Sequence, residues 1–215
     1  MLKKKHLLIN PDILIRQQRA KWTARLATVR LSSRAPWEEE RRIIGMVASP
    51  VENLNIVMLK LDADVQMSDF ARPLCLAPPG GVAGRCVALG WDALGGELRT
   101  AALAPADMAE CEEESEVGAN TVCMTRDTEG EECAGEMMAG HGLMCQHQTE
   151  ETEEAEGAWH LVGVAAWRRG CGSVGQRPRL YEMVNTTSAW VESVIRLDTG
   201  TTPPQPPQVP RRRLG

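Results

Sequence analysis

The sequence predicts an all-β fold built from short strands. Short apolar runs rich in Val, Ile and Leu recur along the chain, for example over 56–61, 86–89 and 161–167, and clusters of Gly, Pro and Asp bound them. Runs of this kind at short spacing are typical of a β-barrel or a β-sandwich. A chain of 215 residues can bury one sizeable core or two small ones.

The segment 188–197 is the one stretch whose pattern favours a helix. Trp190, Val194 and Leu197 recur there at helical spacing, which places them on one face. We therefore predict a helix near the carboxyl end, with these three apolar side chains on a common face.

Charge and hydropathy narrow the classes of partner. The formal net charge is −5, and no basic cluster with interleaved aromatic residues occurs, so we expect no nucleic-acid partner. No apolar stretch approaches the roughly 20 residues of a membrane-spanning helix, so we expect no membrane span. The segment 1–12 starts with basic residues, but Asn10, Pro11 and Asp12 interrupt its apolar part, and we expect no secretory signal in it.

Several segments in order resemble the motifs of trypsin-like serine proteases. The resemblance runs from about residue 22 to residue 198, and the motifs support one another because they occur in the family's order. The segments are 55–61 (N-I-V-M-L-K-L), 71–76 (A-R-P-L-C-L), 84–91 (G-R-C-V-A-L-G-W), 133–145 (C-A-G-E-M-M-A-G-H-G-L-M-C), 159–167 (W-H-L-V-G-V-A-A-W), 177–181 (R-P-R-L-Y) and 189–191 (A-W-V).

The resemblance implies a double antiparallel β-barrel with a carboxyl-terminal helix. The block that carries the family's catalytic histidine is missing upstream of Val29, so we predict an incomplete amino-terminal barrel. Its uncovered sheet edges would favour self-association or a partner chain. The predicted divisions are an irregular segment over 1–21, a partial first barrel over 22–80, a second barrel with the helix over 81–198, and a disordered proline-rich basic tail over 199–215.

The resemblance also implies that all three catalytic positions are vacant. The family's mechanism needs a nucleophilic hydroxyl, an imidazole base and a buried carboxylate that holds the imidazole's tautomer. Counted back from Cys145, Ala139 stands at the serine position, and counted forward from Cys133, Met137 does. Asn55 stands at the carboxylate position, and His6 does not match the family's histidine context. We therefore expect an inactive homologue.

Two alternatives to that interpretation remain open from the sequence. One is an active endopeptidase with an unrecognised nucleophile, for which Ser173 and Ser188 are the downstream serines near family motifs. Neither serine has the Gly-rich strained turn that exposes a nucleophile. The other is a non-functional fragment that does not fold alone.

The specificity pocket that the resemblance implies is altered. Glu131 stands at the pocket-base position, whereas Arg168 and Arg179 replace glycines of the pocket wall. We expect Glu131 to pair with one of these arginines and close the pocket, because a buried carboxylate is best satisfied by a guanidinium group. The alternative is that Glu131 still selects basic side chains.

The seven cysteines match the family's disulfide pattern, with one left over. The implied bonds would require an oxidising compartment, whereas reduced thiols are the alternative. His141, Cys145 and His147 have a spacing that also occurs in metal sites, but we favour a disulfide with two solvent-facing histidines, and we expect no cofactor. The implied pairs are Cys86 with Cys145, Cys111 with Cys123, and Cys133 with Cys171; Cys75 is unpaired or forms an interchain disulfide.

The predicted function is binding rather than catalysis. We expect a binding or regulatory module for a protease, a zymogen or a receptor. The predicted location is extracellular, where Asn185 in the sequence N-T-T would accept a glycan. The acidic run 148–156 is interpreted as a solvated loop tip, with a docking surface for a basic partner as the alternative.

Overall fold

The computed structural model describes residues 6–9, 22–51, 54–78, 84–91, 96–112, 120–126, 140–146, 158–165 and 179–198. Two sheets and a terminal helix make up this part of the chain. The helices are α1 (Met108–Glu112) and α2 (Ser188–Asp198), and a short 3-10 helix, Asn185–Thr187, precedes α2.

The carboxyl-terminal region is a closed barrel of six strands. Its strands are joined in the order β11-β8-β7-β6-β9-β10, and pairing of β10 with β11 closes the ring. A short additional strand, β5 (Cys75–Leu76), lies parallel to β10 at its outer edge. The barrel strands are β6 (Cys86–Trp91), β7 (Leu98–Pro105), β8 (Thr121–Arg126), β9 (Gly142–Gln146), β10 (Trp159–Ala165) and β11 (Arg179–Met183).

The amino-terminal region forms an antiparallel sheet of four strands. Their order is β1-β4-β3-β2, and the strands described here do not close into a ring. An irregularity between Ile43 and Gly45 shifts the register of β3 against β4. The strands are β1 (His6–Ile9), β2 (Thr23–Leu26), β3 (Glu39–Ala48) and β4 (Val57–Leu61).

The prediction of an irregular segment over 1–21 is wrong at His6–Ile9. These residues form β1, whose Leu8 pairs with Met58 of β4. Leu8 packs against two of the buried apolar clusters, one containing Ile56 and Val164 and the other containing Met58 and Val191. The apolar residues after the basic start are therefore recruited by tertiary contacts, which a local reading of the sequence does not reveal.

The helix at the carboxyl end is present, but its predicted face is wrong in part. Val191 and Ile195 are the buried residues of α2, whereas Leu197 is 74% exposed. Trp190 and Val194 are partly buried beside them. The buried face of α2 therefore lies one residue further along the chain than predicted. The short helix α1 was not predicted from the sequence.

Two apolar clusters join the two regions, one around Ile56 and the other around Met58. Leu54 and Ile56 from the segment before β4 pack against Val164 of β10 and Val184 of the loop before α2. The Ala77 amide donates to the carbonyl of Leu161, with an N···O distance of 2.9 Å, and ties the chain that connects the regions to β10. The predicted double-barrel architecture with an incomplete first barrel and a terminal helix is confirmed. No helix in the described ranges is long and apolar enough to cross a membrane.

Candidate functional site

Asn55 lies on the surface immediately before β4. Its neighbours Leu54 and Ile56 are 5% and 1% exposed, so alternation along an extended chain turns the Asn55 side chain outward. The Ile56 carbonyl accepts a hydrogen bond from Ser49 N at 2.8 Å, which holds this segment against the end of β3. Asn55 therefore presents a solvated amide where the resemblance implies a buried carboxylate.

An exposed amide has different chemistry from a buried carboxylate. The carboxylate of a serine protease is ionised, accepts a proton-bearing imidazole nitrogen and stabilises the imidazolium ion that forms. An amide carries no charge, and its NH₂ group donates rather than accepts. Asn55 therefore differs from the carboxylate that the resemblance implies in both charge and hydrogen-bonding character.

The loop predicted to carry the nucleophile position joins the barrel at Gly140. Ala139, Met137 and Cys133 lie outside the described residues. Gly140 has a φ of 82°, a conformation that glycine adopts without a steric penalty. The chain then continues through His141 into β9.

His141 is buried inside the second barrel, so the prediction that it faces solvent is wrong. It is 8% exposed, and a hydrogen bond of 2.8 Å joins its Nε2 to the Oη of Tyr181. The two rings meet edge to face with centroids 5.5 Å apart. The Ala165 amide donates to the His141 carbonyl at 2.9 Å, which fixes the backbone as well.

This inward histidine is the main feature that the sequence interpretation missed. Tyr181 is 1% exposed and belongs to the barrel's buried cluster with Leu143 and Cys145. A buried tyrosine hydroxyl generally needs a hydrogen-bond partner, and the imidazole supplies one. The presence of the chain's single tyrosine in a strand motif was the available signal.

Of the three residues predicted to block the specificity pocket, one lies in the described part of the chain. Arg179 is the first residue of β11, is half-buried, and is opposite Met124 of β8. Because side chains two apart on a strand share a face, Arg179 and Tyr181 lie on the same face of β11. Glu131 and Arg168 lie outside the described residues.

Two disulfides are present, and they are two of the pairs that the resemblance implied. Cys86 and Cys145 join the neighbouring strands β6 and β9, and Cys111 and Cys123 join α1 to β8. Cys75 is a free, exposed thiol on β5. The predicted partners Cys133 and Cys171, and also His147, lie outside the described residues. Because Cys145 is bonded to Cys86, it is not a thiolate ligand for a metal ion.

Ser188, a candidate nucleophile, and Asn185, a candidate glycan acceptor, both have local structural roles near α2. Ser188 is the first residue of α2, and its Oγ donates to the Asn185 carbonyl at 3.4 Å. Asn185 is half-buried, whereas Thr187 is fully buried and its Oγ1 donates to the Val184 carbonyl at 2.6 Å. Ser173 lies outside the described residues. Ser188 therefore sits on a helix start and not on an exposed strained turn.

The described strands form a trypsin-like double β-barrel whose first barrel is an open sheet of four strands. A family model described as Trypsin matches residues 16–191, and the chain belongs to this family. It is 31% identical over 132 residues to Ovochymase-2 from Mus musculus, which covers 55% of this chain and 20% of that protein. It is 27% identical over 150 residues to Coagulation factor XI from Bos taurus, which covers 64% of this chain and 22% of that protein. The chain thus spans about a fifth of the length of these relatives.

Proposed function

We propose that this chain is a non-catalytic trypsin-family domain that binds or regulates another protein, such as a protease, a zymogen or a receptor. The observation that carries the proposal is the exposed amide of Asn55 at the carboxylate position. Serine-protease chemistry needs a buried carboxylate there to hold an imidazole in one tautomer. A trypsin-family fold without that group retains a surface for binding but lacks the means to activate a hydroxyl.

The surroundings of His141 support the same proposal. The imidazole lies immediately after the nucleophile loop but turns into the barrel, where it is hydrogen-bonded to Tyr181. A general base must reach the proton of the nucleophile from an accessible position. The serine position falls on Ala139 or on Met137, and neither residue offers a hydroxyl to activate.

Active-site chemistry tests this proposal directly. We expect the purified chain to hydrolyse no arginyl, lysyl or aromatic ester and amide substrates, and to resist a serine-reactive phosphonate probe. The double variant Ala139→Ser, Asn55→Asp is a matched control, and it should stay inactive because the imidazole is still missing. Stoichiometric labelling of the wild-type chain at any serine, Ser188 included, would show an active endopeptidase instead.

A closed specificity pocket completes the proposal. Glu131 would be paired with Arg168 or Arg179, and the half-buried position of Arg179 on the Tyr181 face supports this. We expect benzamidine, a small cationic probe, not to bind the wild-type chain. Replacing both arginines by glycine should create binding, whereas wild-type binding would indicate that Glu131 selects basic side chains.

The proposed location is extracellular, with a protein partner attached through Cys75. The two disulfides support an oxidising compartment, and the exposed Cys75 thiol is accessible to another chain. Joining it to a partner thiol releases two protons and two electrons, which oxidised glutathione would accept. Non-reducing electrophoresis of secreted material should show a mixed disulfide that Cys75→Ser removes.

Glycosylation at Asn185 is tested separately. Asn185→Gln should abolish a glycan-dependent shift in electrophoretic mobility; secreted material without such a shift would contradict glycosylation at Asn185.

The division of the chain at residue 80 also remains a proposal. It is supported by the strands of the first sheet, which all precede that position, and by the six barrel strands, which all follow it. The short β5 precedes the boundary but pairs with the barrel. Limited proteolysis should release a stable piece that begins near residue 81 and ends near residue 198. Cleavage within the barrel strands before cleavage near residue 80 would contradict this boundary.

A further inference from the structure

A cavity of about 330 Å³ lies between the first sheet and the last turns of α2. Its apolar lining consists of Met46, Val47, Met58, Val194 and Leu197. This volume is at the lower end of the roughly 300 to 1,000 Å³ that small-molecule sites occupy. Met58 lies opposite Val47 in the β3–β4 register and therefore on the cavity's face of the sheet, whereas Met46 lies opposite Leu59 on the other face. The flexible, polarizable side chain of Met58 adapts readily to an apolar guest.

The cavity is open at its mouth and has room at its floor. Val47 and Leu197 line the mouth and are 43% and 74% exposed. At the floor, a Cβ built on Gly45 would lie 3.4 Å from the Cβ of Lys60, so the missing side chain leaves space there. An apolar guest would therefore cover surface that now faces water, which is favourable.

One end of the cavity is polar and has balanced charge. The ammonium group of Lys60 forms an ion pair with Oδ1 of Asp198, and Nε2 of His6 lies 3.6 Å from the other carboxylate oxygen. An ammonium group has three N–H donors, and a carboxylate has about four acceptor positions, so the pair has hydrogen-bonding capacity beyond its mutual contact. A charged head group would be attracted by one member of the Lys60–Asp198 ion pair and repelled by the other.

We propose that this cavity binds an uncharged amphiphile that has an apolar chain and an amide or hydroxyl head group. The head would accept a hydrogen bond from the Lys60 ammonium and donate one to the Asp198 carboxylate, while the chain lies above Met58 against Val47, Val194 and Leu197. An uncharged group that both donates and accepts is complementary to both members of the ion pair. This site is independent of the proposed loss of catalysis, because it lies on the α2 side of the first sheet.

A panel of ligands with one chain and different heads tests the proposal. Octanamide, octanoate and octylamine would be titrated into the full chain by calorimetry, with methionine methyl NMR in parallel. We expect octanamide to bind at least tenfold more tightly than the two charged ligands and to shift the methyl signal of Met58 more than that of Met46, which lies on the other face of the sheet. Tighter binding of octanoate or octylamine, or unchanged methyl signals, would overturn the proposal.

Variants distinguish binding in the cavity from nonspecific binding elsewhere on the protein. Lys60→Met should remove the preference for octanamide, and Gly45→Leu should block binding by filling the floor. Val47→Phe, at the exposed mouth, provides a second blocking variant if Gly45→Leu melts early. Arg99→Met, at an exposed site on β7 of the second barrel, is the matched control and should bind as the wild type does. Full affinity in Lys60→Met or in both blocking variants, or a dimer that covers Val47 and Leu197, would overturn the assignment.

Discussion

The two sheets of this chain keep their apolar side chains from water to very different extents. In the second barrel Met124, Leu143 and Tyr181 are at most 3% exposed. Within residues 22–78, by contrast, several large apolar side chains are at least 37% exposed, namely Val29, Leu31, Trp37, Ile44, Val47, Met67 and Phe70. The first sheet does bury β4, in which Met58 and Leu61 are at most 1% exposed, but side chains of β3 and of the surrounding loops stay exposed. A closed ring of strands, by contrast, has no free edge.

In the first region, polar contacts around Arg25 partly make up for the apolar contacts that the exposed side chains lack. The Nε and one terminal nitrogen of Arg25 donate to Oε2 of Glu38 at 2.9 and 2.6 Å, and Nη1 donates to the Leu31 carbonyl at 2.9 Å. These bonds hold the β2–β3 loop, in which Ala27 has an uncommon φ of 60°. A single guanidinium group thus organises a loop that has little apolar interior of its own.

The first region also depends on the second barrel for backbone partners. The Leu31 amide donates to the Gly96 carbonyl, and the Leu98 amide donates to the Val29 carbonyl, both at 2.8 Å. Arg30 and Glu97 form an ion pair of 3.0 Å beside them. The comparison therefore predicts that the second barrel is the stable unit and that the first sheet loses structure when its contacts with the barrel are weakened.

The largest expected effect on the unfolding free energy comes from removing the disulfide between β6 and β9. Replacing Cys86 and Cys145 by serine opens a loop with a sequence separation of 59, which should lower the unfolding free energy by about 4 kcal/mol. Removing the Cys111–Cys123 bond, with a separation of 12, should cost about 3 kcal/mol. Urea denaturation measures both; an equal or reversed order would contradict the loop-entropy account.

The next effect tests the Ile56 cluster, which is one of the two that join the regions. Ile56 is 1% exposed in that cluster, so Ile56→Ala should lower the unfolding free energy by about 2 to 5 kcal/mol. Ile44, which is 57% exposed on β3, is the matched control, and Ile44→Ala should change it by about 0.5 kcal/mol or less. Hydrogen exchange should show the first sheet opening before the barrel in Ile56→Ala; simultaneous opening of both would argue against a weaker first region.

A smaller effect is expected from Arg25. Arg25→Met keeps much of the side chain's length but removes its hydrogen bonds, and bonds to charged groups contribute about 1.5 to 3 kcal/mol. We expect a loss in that range, measured by urea denaturation. Arg34 forms an exposed ion pair with Glu40, so Arg34→Met should cost at most about 1 kcal/mol. Similar losses in the two variants would show that the β2–β3 loop is not organised by Arg25.

The exposed apolar side chains of β3 should affect association more than stability. We expect the full chain to self-associate at low micromolar concentration, because Ile44 and Val47 lie exposed on an open sheet. Replacing both by serine should lower the apparent mass in light scattering while leaving the melting temperature nearly unchanged. A wild-type chain that is already monodisperse and monomeric would contradict the prediction.

The smallest effect concerns acid stability at the end of β4. The hydrogen bond from the Arg42 side chain lowers the pKa of Asp62 below its usual 3.8, although partial desolvation opposes the shift. Since the folded pKa is depressed, the stabilisation is complete above pH 3.8 and is lost as the pH falls through the folded pKa. Asp62→Asn should therefore reduce the drop in urea midpoint between pH 7 and pH 3, and Arg42→Met should do the same. An unchanged drop in both variants would exclude this contribution.

The sequence by itself determined the family, the double-barrel fold class and, through the resemblance, two of the cysteine pairs. Motifs such as 55–61 and 84–91 mark β4 and β6 because their apolar residues and turn signals are local properties of the chain. The residue types at Asn55 and at Ala139 are equally plain from the sequence, and they carry the proposal of a non-catalytic domain.

Only the tertiary structure decided which side chains are buried and which segments are recruited. His141 turns inward because Tyr181 lies on the neighbouring wall of the barrel, and β1 forms because β4 offers an unpaired edge and an apolar surface. The buried stripe of α2 follows Val191 and Ile195 because those residues face Met58 of β4. Each of these outcomes depends on a partner distant in sequence, and local patterns of hydrophobicity contain no information about such partners.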